Sequence, residues 1–321
     1  GNISGIYLKN ITQTFRELEL VGVCDLVRER AEKAQAEYGI PKIYDTMHDA
    51  FADPEVQIVL NLTRPYEHFE VSRAALLAGK HVYSEKPLGA ELAEGVELRR
   101  SAEEKGLMLG GAPDTFLGAG IQTCRRLIDD GFIGTPIGSA AYMIGCGHES
   151  WHPDPEFYYK RGGGPMFDMG PYYLTAMINL LGGVQRVFSA SKISFPRRTI
   201  TSQPLAGKVI DVDVNTYIAG TVQYASGAIG TIFTTFDEQF PREKSRFIEV
   251  YGSEGTLFVP DPNDFSGTIQ LYRPEEGVTK EIPMMYGYPE NSRALGLADM
   301  AKALQTGREA RCAVQQTYHV L

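Results

Sequence analysis

From Glu17 to Gly111 the chain alternates short apolar runs with helix-length stretches, and this alternation restricts its fold more than any other feature. Leu18–Asp25 reads as a strand, with a charged helix at Val27–Tyr38 after it. Lys42–Tyr44 is a short strand that leads into a helix at Met47–Ala52. The β-branched run Val56–Leu62 is a buried strand, and the helix expected over Tyr66–Ala78 stops at Gly79. Strand His81–Ser84, helix Ala90–Glu104 and strand Leu107–Gly111 complete the series. Strands joined through helices pair in parallel, with helices on both faces. The expected class is α/β, a doubly wound parallel sheet whose ligands bind at the carboxyl ends of the strands.

After Pro113 the pattern changes. Helix Gly118–Asp130, strand Ile137–Ile144 and a Pro- and aromatic-rich loop, Gly145–Gly164, precede a helix at Asp168–Leu181. Longer strands follow at Arg186–Ile193, Val209–Tyr224, Ala228–Phe236 and Phe247–Tyr251, with a hairpin corner at Tyr224-Ala225-Ser226-Gly227. A last helix, Asn291–Gln305, ends at Gly307. Consecutive strands of this kind make an α+β domain with a large open, mostly antiparallel sheet. The 321 residues suit two domains. We expect an α/β domain over 1–113 and an α+β domain over 114–321. A sheet with helices on one face leaves the other to be covered, so a homodimer or homotetramer through that sheet is expected.

Charge and composition exclude several partners. Lys plus Arg is 31 against 40 Asp plus Glu, a net charge of −9 with no basic stripe, which argues against nucleic acid. No apolar run reaches the roughly 18 residues of a membrane span. Cys24, Cys124, Cys146 and Cys312 stand far apart and form no C-x-x-C pair; free, buried thiols in a reducing cytoplasm are the expectation. Gly1 stands where an initiator Met is usual, and Val314–Leu321 carries no helix-ending signal. Both ends therefore read as cut, with a first strand expected upstream of Gly1.

Four segments offer chemistry. Gly1-Asn2-Ile3-Ser4-Gly5 before a helix reads as the tail of a glycine-rich turn, where backbone approaches a pyrophosphate at a helix N-terminus. Asp25, at the end of the next strand, is placed to accept hydrogen bonds from adenosine ribose hydroxyls; the alternative is a capping Asp. A 2′-phosphate would meet that carboxylate, so NAD is expected over NADP. Glu85-Lys86-Pro87-Leu88-Gly89 closes a parallel strand, which puts Lys86 where ligands of such sheets bind. Gly162-Gly163-Gly164 carries the chain into a helix on which Asp168 and Tyr172 are i, i+4 and share one face. His148-Glu149-Ser150-Trp151-His152 matches the zinc pattern H-E-x-x-H, which needs a helix. Pro153 and Pro155 directly after it, with Gly145 and Gly147 before, argue against that helix, and no metal site is expected.

Together these features resemble the glucose–fructose oxidoreductase, inositol dehydrogenase and rhizopine-catabolism family of NAD(P)-dependent oxidoreductases. The resemblance runs from the cut fingerprint through Asn61-Leu62-Thr63-Arg64-Pro65-Tyr66-Glu67-His68, Glu85-Lys86-Pro87 and the triple-glycine helix to Ile248–Thr256. It implies a Rossmann domain followed by an α+β domain. It also implies hydride transfer between nicotinamide and a secondary hydroxyl or ketone of a sugar, glycoside or cyclitol. A non-catalytic cofactor-binding sensor of the same fold is the rival reading. By the resemblance, Gly1, Asn2, Ile3, Asp25, Asn61, Leu62, Thr63, His68, Glu85 and Lys86 hold the cofactor. Lys86, Asp114, Trp151, His152, Asp168 and Tyr172 meet the substrate, with Trp151 stacking on a ring and His152 donating a hydrogen bond. Two departures stand out: Tyr172 occupies the place where many members carry histidine, and Ala112-Pro113-Asp114-Thr115 lacks the usual Asn or Arg.

The catalytic residues expected are Lys86, Tyr172 and Asp168. A phenol with a pKa near 10 is a poor base unless a nearby ammonium favours the phenolate, the role expected of Lys86. Alternatively Lys86 is itself the acid/base and Tyr172 positions the sugar.

Overall fold

A computed structural model describes residues 3–239 and 246–321. It divides into two compact units, residues 1–114 with 291–319 and 321, and residues 115–290 with 320.

The first unit carries five short strands: β1 (Gly22–Val23), β2 (Lys42–Ile43), β3 (Ile58–Asn61), β4 (His81–Ser84) and β5 (Leu109–Gly111). β1 pairs with β2, and β3, β4 and β5 pair in that order, all parallel. Each expected strand of this region is present: His81–Ser84 keeps its bounds and the other four are shortened. Helices fall at Ser4–Gln13, Arg28–Tyr38, Met47–Ala52, His68–Leu77 and Leu92–Lys105, two of them stopped by glycines in the left-handed conformation, Gly39 and Gly106. Val82 and Leu109 of the sheet pack with Leu76, Leu98, Ala102 and Phe51 of the helices into one buried cluster.

Val314 belongs to that same cluster, and Tyr318 and Leu321 pack against it. Val314 and Tyr318 are i, i+4 on the helix Val314–Val320, and Leu321, just past its end, continues the same apolar stripe. The helix Leu295–Thr306 also lies in the first unit, so the chain's last segment groups with its first 114 residues. That differs from an unbroken second domain running to Leu321.

The second unit is built on an eight-stranded sheet. Its strands, with a separate ribbon of β8 and β9, are β6 (Pro136–Ile144), β7 (Val184–Lys192), β8 (Arg197–Thr199), β9 (Val209–Asp211), β10 (Tyr217–Tyr224), β11 (Ile229–Thr235), β12 (Arg246–Gly252), β13 (Thr256–Val259), β14 (Ile269–Arg273) and β15 (Val278–Ile282). The order is β15-β14-β13-β12-β6-β11-β10-β7, antiparallel except for the parallel pair β6–β11. The expected strand over Val209–Tyr224 is two strands. β9 pairs with β8, and the turn-forming Asp213 and Asn215 separate it from β10.

The helix Gly170–Leu181 covers one face of this sheet, where Ser139 and Tyr224 meet Met177. Alternate residues point the other way: Tyr142 stacks on Phe247 at 4.9 Å and Tyr217 tilts against Phe233 at 4.9 Å. On that outer face Phe188 of the edge strand is 65% exposed.

Among the described residues no helix is long and apolar enough to cross a membrane. All four cysteines are free, and the expected burial holds only for Cys124 and Cys312; Cys24 and Cys146 are exposed.

Candidate active site

The first unit gathers its polar residues at the carboxyl ends of its strands. Asp25 follows β1, and its Oδ1 accepts the Val27 N–H at 2.9 Å. Its Oδ2 has no protein partner among the described residues, so the carboxylate serves the turn and keeps an acceptor for a ribose hydroxyl. Arg28 is held by Asp45 and Glu32. Burial and the charges of Asp25, Asp49 and Asp45 push the Cys24 thiol up, which marks this strand end as acidic. Ile3 is half-buried at the start of the first helix; Gly1 and Asn2 lie outside the described residues.

Asn61 ends β3 and is buried. Its amide donates to the His68 carbonyl at 3.0 Å and to Ser72 Oγ at 2.9 Å, while its Oδ1 accepts from Thr63 Oγ1 at 2.7 Å. His68 is buried too, with Nδ1 2.7 Å from the Pro87 carbonyl and Nε2 3.1 Å from that of Thr63. Burial pushes its pKa below the ordinary imidazole value. Asn61 and His68 therefore shape the loop that presents the half-buried Leu62 and exposed Thr63, and they tie it to the lysine motif.

Glu85 is buried after β4, accepting the Tyr7 hydroxyl at 2.7 Å and the Lys86 N–H at 3.0 Å. The Glu85 carboxylate thus anchors the backbone at Lys86, whose side chain is half-buried.

Asp114, expected to meet substrate, is 1% exposed and accepts the Gly296 N–H at 3.0 Å, capping the start of the helix Leu295–Thr306. Burial raises its pKa to about 6. An unfolded Asp titrates near 3.9. The folded chain therefore holds a proton that the unfolded chain has lost between about pH 4 and 6, and stability from this group falls as pH rises through that window. Asp114→Asn keeps an acceptor and removes the charge. It is expected to gain about 2–3 kcal/mol over the wild type between pH 4 and pH 7 in urea denaturation, and parallel curves at the two pH values would refute this.

The second unit places its chemistry on the loop 145–164 and the helix after it. Gly163 and Gly164 bring the chain close to other backbone. A Cβ on Gly163 would lie 2.6 Å from the carbonyl oxygens of Phe157 and Tyr158, and Gly164 has φ +83°. A helix over Gly164–Asp168 follows, but it does not continue into Gly170–Leu181. The break at Met169 corrects the single helix expected there. Pro171 lacks an N–H and its ring excludes the carbonyl four residues back, so the helix restarts with proline in its first turn. The i, i+4 spacing of Asp168 and Tyr172 therefore gives no shared helical face by itself. Tyr172 is 6% exposed.

Asp168 has a partner that spacing did not suggest: His148 Nε2 lies 3.5 Å from its Oδ2. The His148 ring stacks on Tyr158 at 3.7 Å with a 7° interplanar angle and meets the edge of Phe236 at 4.7 Å. Residues 148–151 form only a turn, closed by His152 N–H donating to the His148 carbonyl at 3.0 Å. The zinc-like pattern falls apart in space. Glu149 accepts from Tyr159 at 2.6 Å and from Arg198 at 2.6 Å. His152 is buried, and its Nδ1 accepts the Asp154 N–H at 3.0 Å. Trp151 is 61% exposed, 5.3 Å from the His148 ring centroid.

Arg198 pins this loop to the sheet. Buried, it donates to Glu149, to Asp237 and to the Phe236 carbonyl, and Asp237 also accepts from Thr216 at 2.8 Å. No sequence signal marked Arg198 or Asp237.

A unit built on short parallel strands and a second built on a large mixed sheet bearing an acidic and aromatic loop define a two-unit α/β architecture. The family described as "Oxidoreductase family, NAD-binding Rossmann fold" matches residues 1–111, and the GFO/IDH/MocA C-terminal domain matches residues 121–258. The chain belongs to this family. It is 31% identical over 140 residues to an inositol 2-dehydrogenase/D-chiro-inositol 3-dehydrogenase of Lactiplantibacillus plantarum, covering 43% of this chain and 40% of that one. It is 24% identical over 259 residues to a myo-inositol 2-dehydrogenase of Thermotoga maritima, covering 80% and 72%. The match thus spans less than half the length of the first relative. The fold is that of levoglucosan dehydrogenase in complex with NADH and levoglucosan, with a TM-score of 0.80 at 18% identity over 98% of this chain and 90% of that one.

Proposed function

We propose that this chain is an NAD-dependent oxidoreductase acting on a secondary hydroxyl or ketone of a sugar, glycoside or cyclitol. The observation that carries the reading is the Asp168–His148 pair beside the exposed Trp151, on a chain whose first domain belongs to an NAD-binding family. An exposed indole face suits the apolar side of a sugar or cyclitol ring. The named relatives, by their names, act on cyclitols and levoglucosan. When bound, NAD supplies the hydride acceptor. Asp25 fits its ribose, and the loop 61–68 and Glu85 shape the strand ends where its remaining contacts would fall. Lys86 hydrogen-bonds the substrate oxygen as charge develops there, Asp168 holds the cationic partner of the reaction in place, and Tyr172 positions the ring.

A panel of sugars, cyclitols and glycosides, followed at the absorbance band of reduced nicotinamide, tests this reading. Turnover with at least one compound is expected. NAD bound without turnover anywhere in the panel would favour the sensor instead.

Asp25 sets cofactor choice in this reading, since a 2′-phosphate beside it is repelled and Arg28 is already held by acids. Asp25→Asn is expected to cut the preference for NAD over NADP by on the order of 10²-fold in calorimetric Kd. A wild type that prefers NADP would reject the role of Asp25. We place self-association, as a homodimer or homotetramer, on the aromatic outer face of the eight-stranded sheet. A monomeric mass by light scattering at micromolar concentration would contradict it. The free thiols suit the cytoplasm.

A further inference from the structure

We propose that His148, oriented by Asp168, is the group that takes up the hydroxyl proton in this chain; the proposal rests on the oxidoreductase reading above. Oxidising a secondary alcohol needs a base that titrates near neutral pH. A phenol ordinarily titrates near 10 and an imidazole near 6.5. Tyr172 is a buried phenol, whereas His148 is an imidazole whose Nε2 sits 3.5 Å from the Asp168 carboxylate. With its hydrogen on Nε2, the ring keeps a lone pair on Nδ1, and that atom is buried with no hydrogen-bond partner among the described residues. The ring is fixed by the Tyr158 stack and the Phe236 edge. The next residue, Glu149, is clamped by Arg198, so the backbone at His148 is held as well. Among the described residues Asp168, Tyr158 and His152 face the ring, and the Tyr159 hydroxyl accepts the His148 N–H at 3.2 Å. A ring held by packing, with one nitrogen on a carboxylate and the other without a partner among the described residues, is the base-and-orienter arrangement of acid–base catalysis.

The balance is simple. The carbinol C–H hydrogen leaves with both bonding electrons to oxidised NAD. The hydroxyl proton passes to His148 Nδ1, and the O–H bonding pair becomes the second bond of the new C=O. The imidazolium so formed is balanced by Asp168, and it returns the proton in the reductive direction.

The test compares full-length His148→Ala, His148→Gln and Tyr172→Phe with the wild type, using NAD and the best substrate of the panel. Both His148 variants are expected to lose on the order of 10²-fold or more in kcat with NAD Kd unchanged. Added imidazole should restore part of the activity to His148→Ala but not to His148→Gln. Tyr172→Phe, at a residue that positions the ring, should raise KM and lose less kcat than either His148 variant. Wild-type kcat in His148→Gln overturns the proposal and leaves the oxidoreductase reading standing. Loss of kcat together with weakened NAD binding and no imidazole rescue marks a purely structural histidine and also overturns it. A wild type as silent as its variants on every substrate overturns the oxidoreductase reading itself.

Discussion

Asp168→Asn is expected to lower kcat by on the order of 10²-fold or more while leaving NAD affinity near the wild-type value. The substitution keeps the shape of the side chain and removes its charge. The carboxylate lies against His148 and is proposed to stabilise the cation that the reaction makes there, so its loss should fall on the transition state rather than on cofactor binding. Lys86→Ala should fall by a similar factor, because the ammonium is proposed to meet the oxygen on which charge develops. Steady-state kinetics alongside calorimetric NAD binding separate the two effects. Near-normal kcat in Asp168→Asn would move the catalytic half of the second unit elsewhere.

Arg198→Met is expected to cost about 3–5 kcal/mol of stability, because it strands two carboxylates in the protein interior. Glu149 and Asp237 both face this guanidinium, and side-chain exposure across the triad is 12% or less. Desolvation makes such a cluster weak as a net source of stability, yet breaking it leaves uncompensated charge. Adding Glu149→Gln and Asp237→Asn to Arg198→Met should therefore recover much of the loss. Urea midpoints of the single and triple variants read this directly; a single variant within about 1 kcal/mol of the wild type would show that the charges are not confined as described. Activity should suffer beyond the stability loss, since the same arginine holds the turn that carries His148 and Trp151.

The first unit was legible because each of its strands is a short apolar run closed by a helix with its own stop signal. Local periodicity and glycine placement are enough there, and the helix expected near Met47–Ala52 is present over those residues. Asp25 was legible for the same reason, as the first acid after a strand. The second unit was less so. A proline two residues beyond Met169 breaks the helix that linked Asp168 to Tyr172, and apolar periodicity runs straight through that break. The strands Thr256–Val259, Ile269–Arg273 and Val278–Ile282 have little sequence signal because each is short, and the edge strand Val278–Ile282 is exposed along nearly its whole length. The closing helix shows only three apolar positions in one stripe, and they matter because a core waits for them.

The partnership of His148 with Asp168 had no local signal at all. Twenty residues and a proline-rich loop separate the two, and only the glycine-tight approach of the helix start to Phe157 and Tyr158 brings the loop back. His148 opens a zinc-like pattern in the sequence, whose Glu149 is held by Arg198 in the structure. Residue types were visible in sequence; which of them meet was decided by the backbone.

The most direct measurement is isotope transfer. The wild-type protein is incubated with oxidised NAD and a cyclitol or sugar deuterated at its carbinol carbons, and the cofactor is recovered for mass spectrometry and NMR. Hydride transfer predicts one deuterium at the nicotinamide C4 position for each ketone formed. Ketone formed with no deuterium on the cofactor, or bound NAD left oxidised in the presence of every polyol offered, would contradict it.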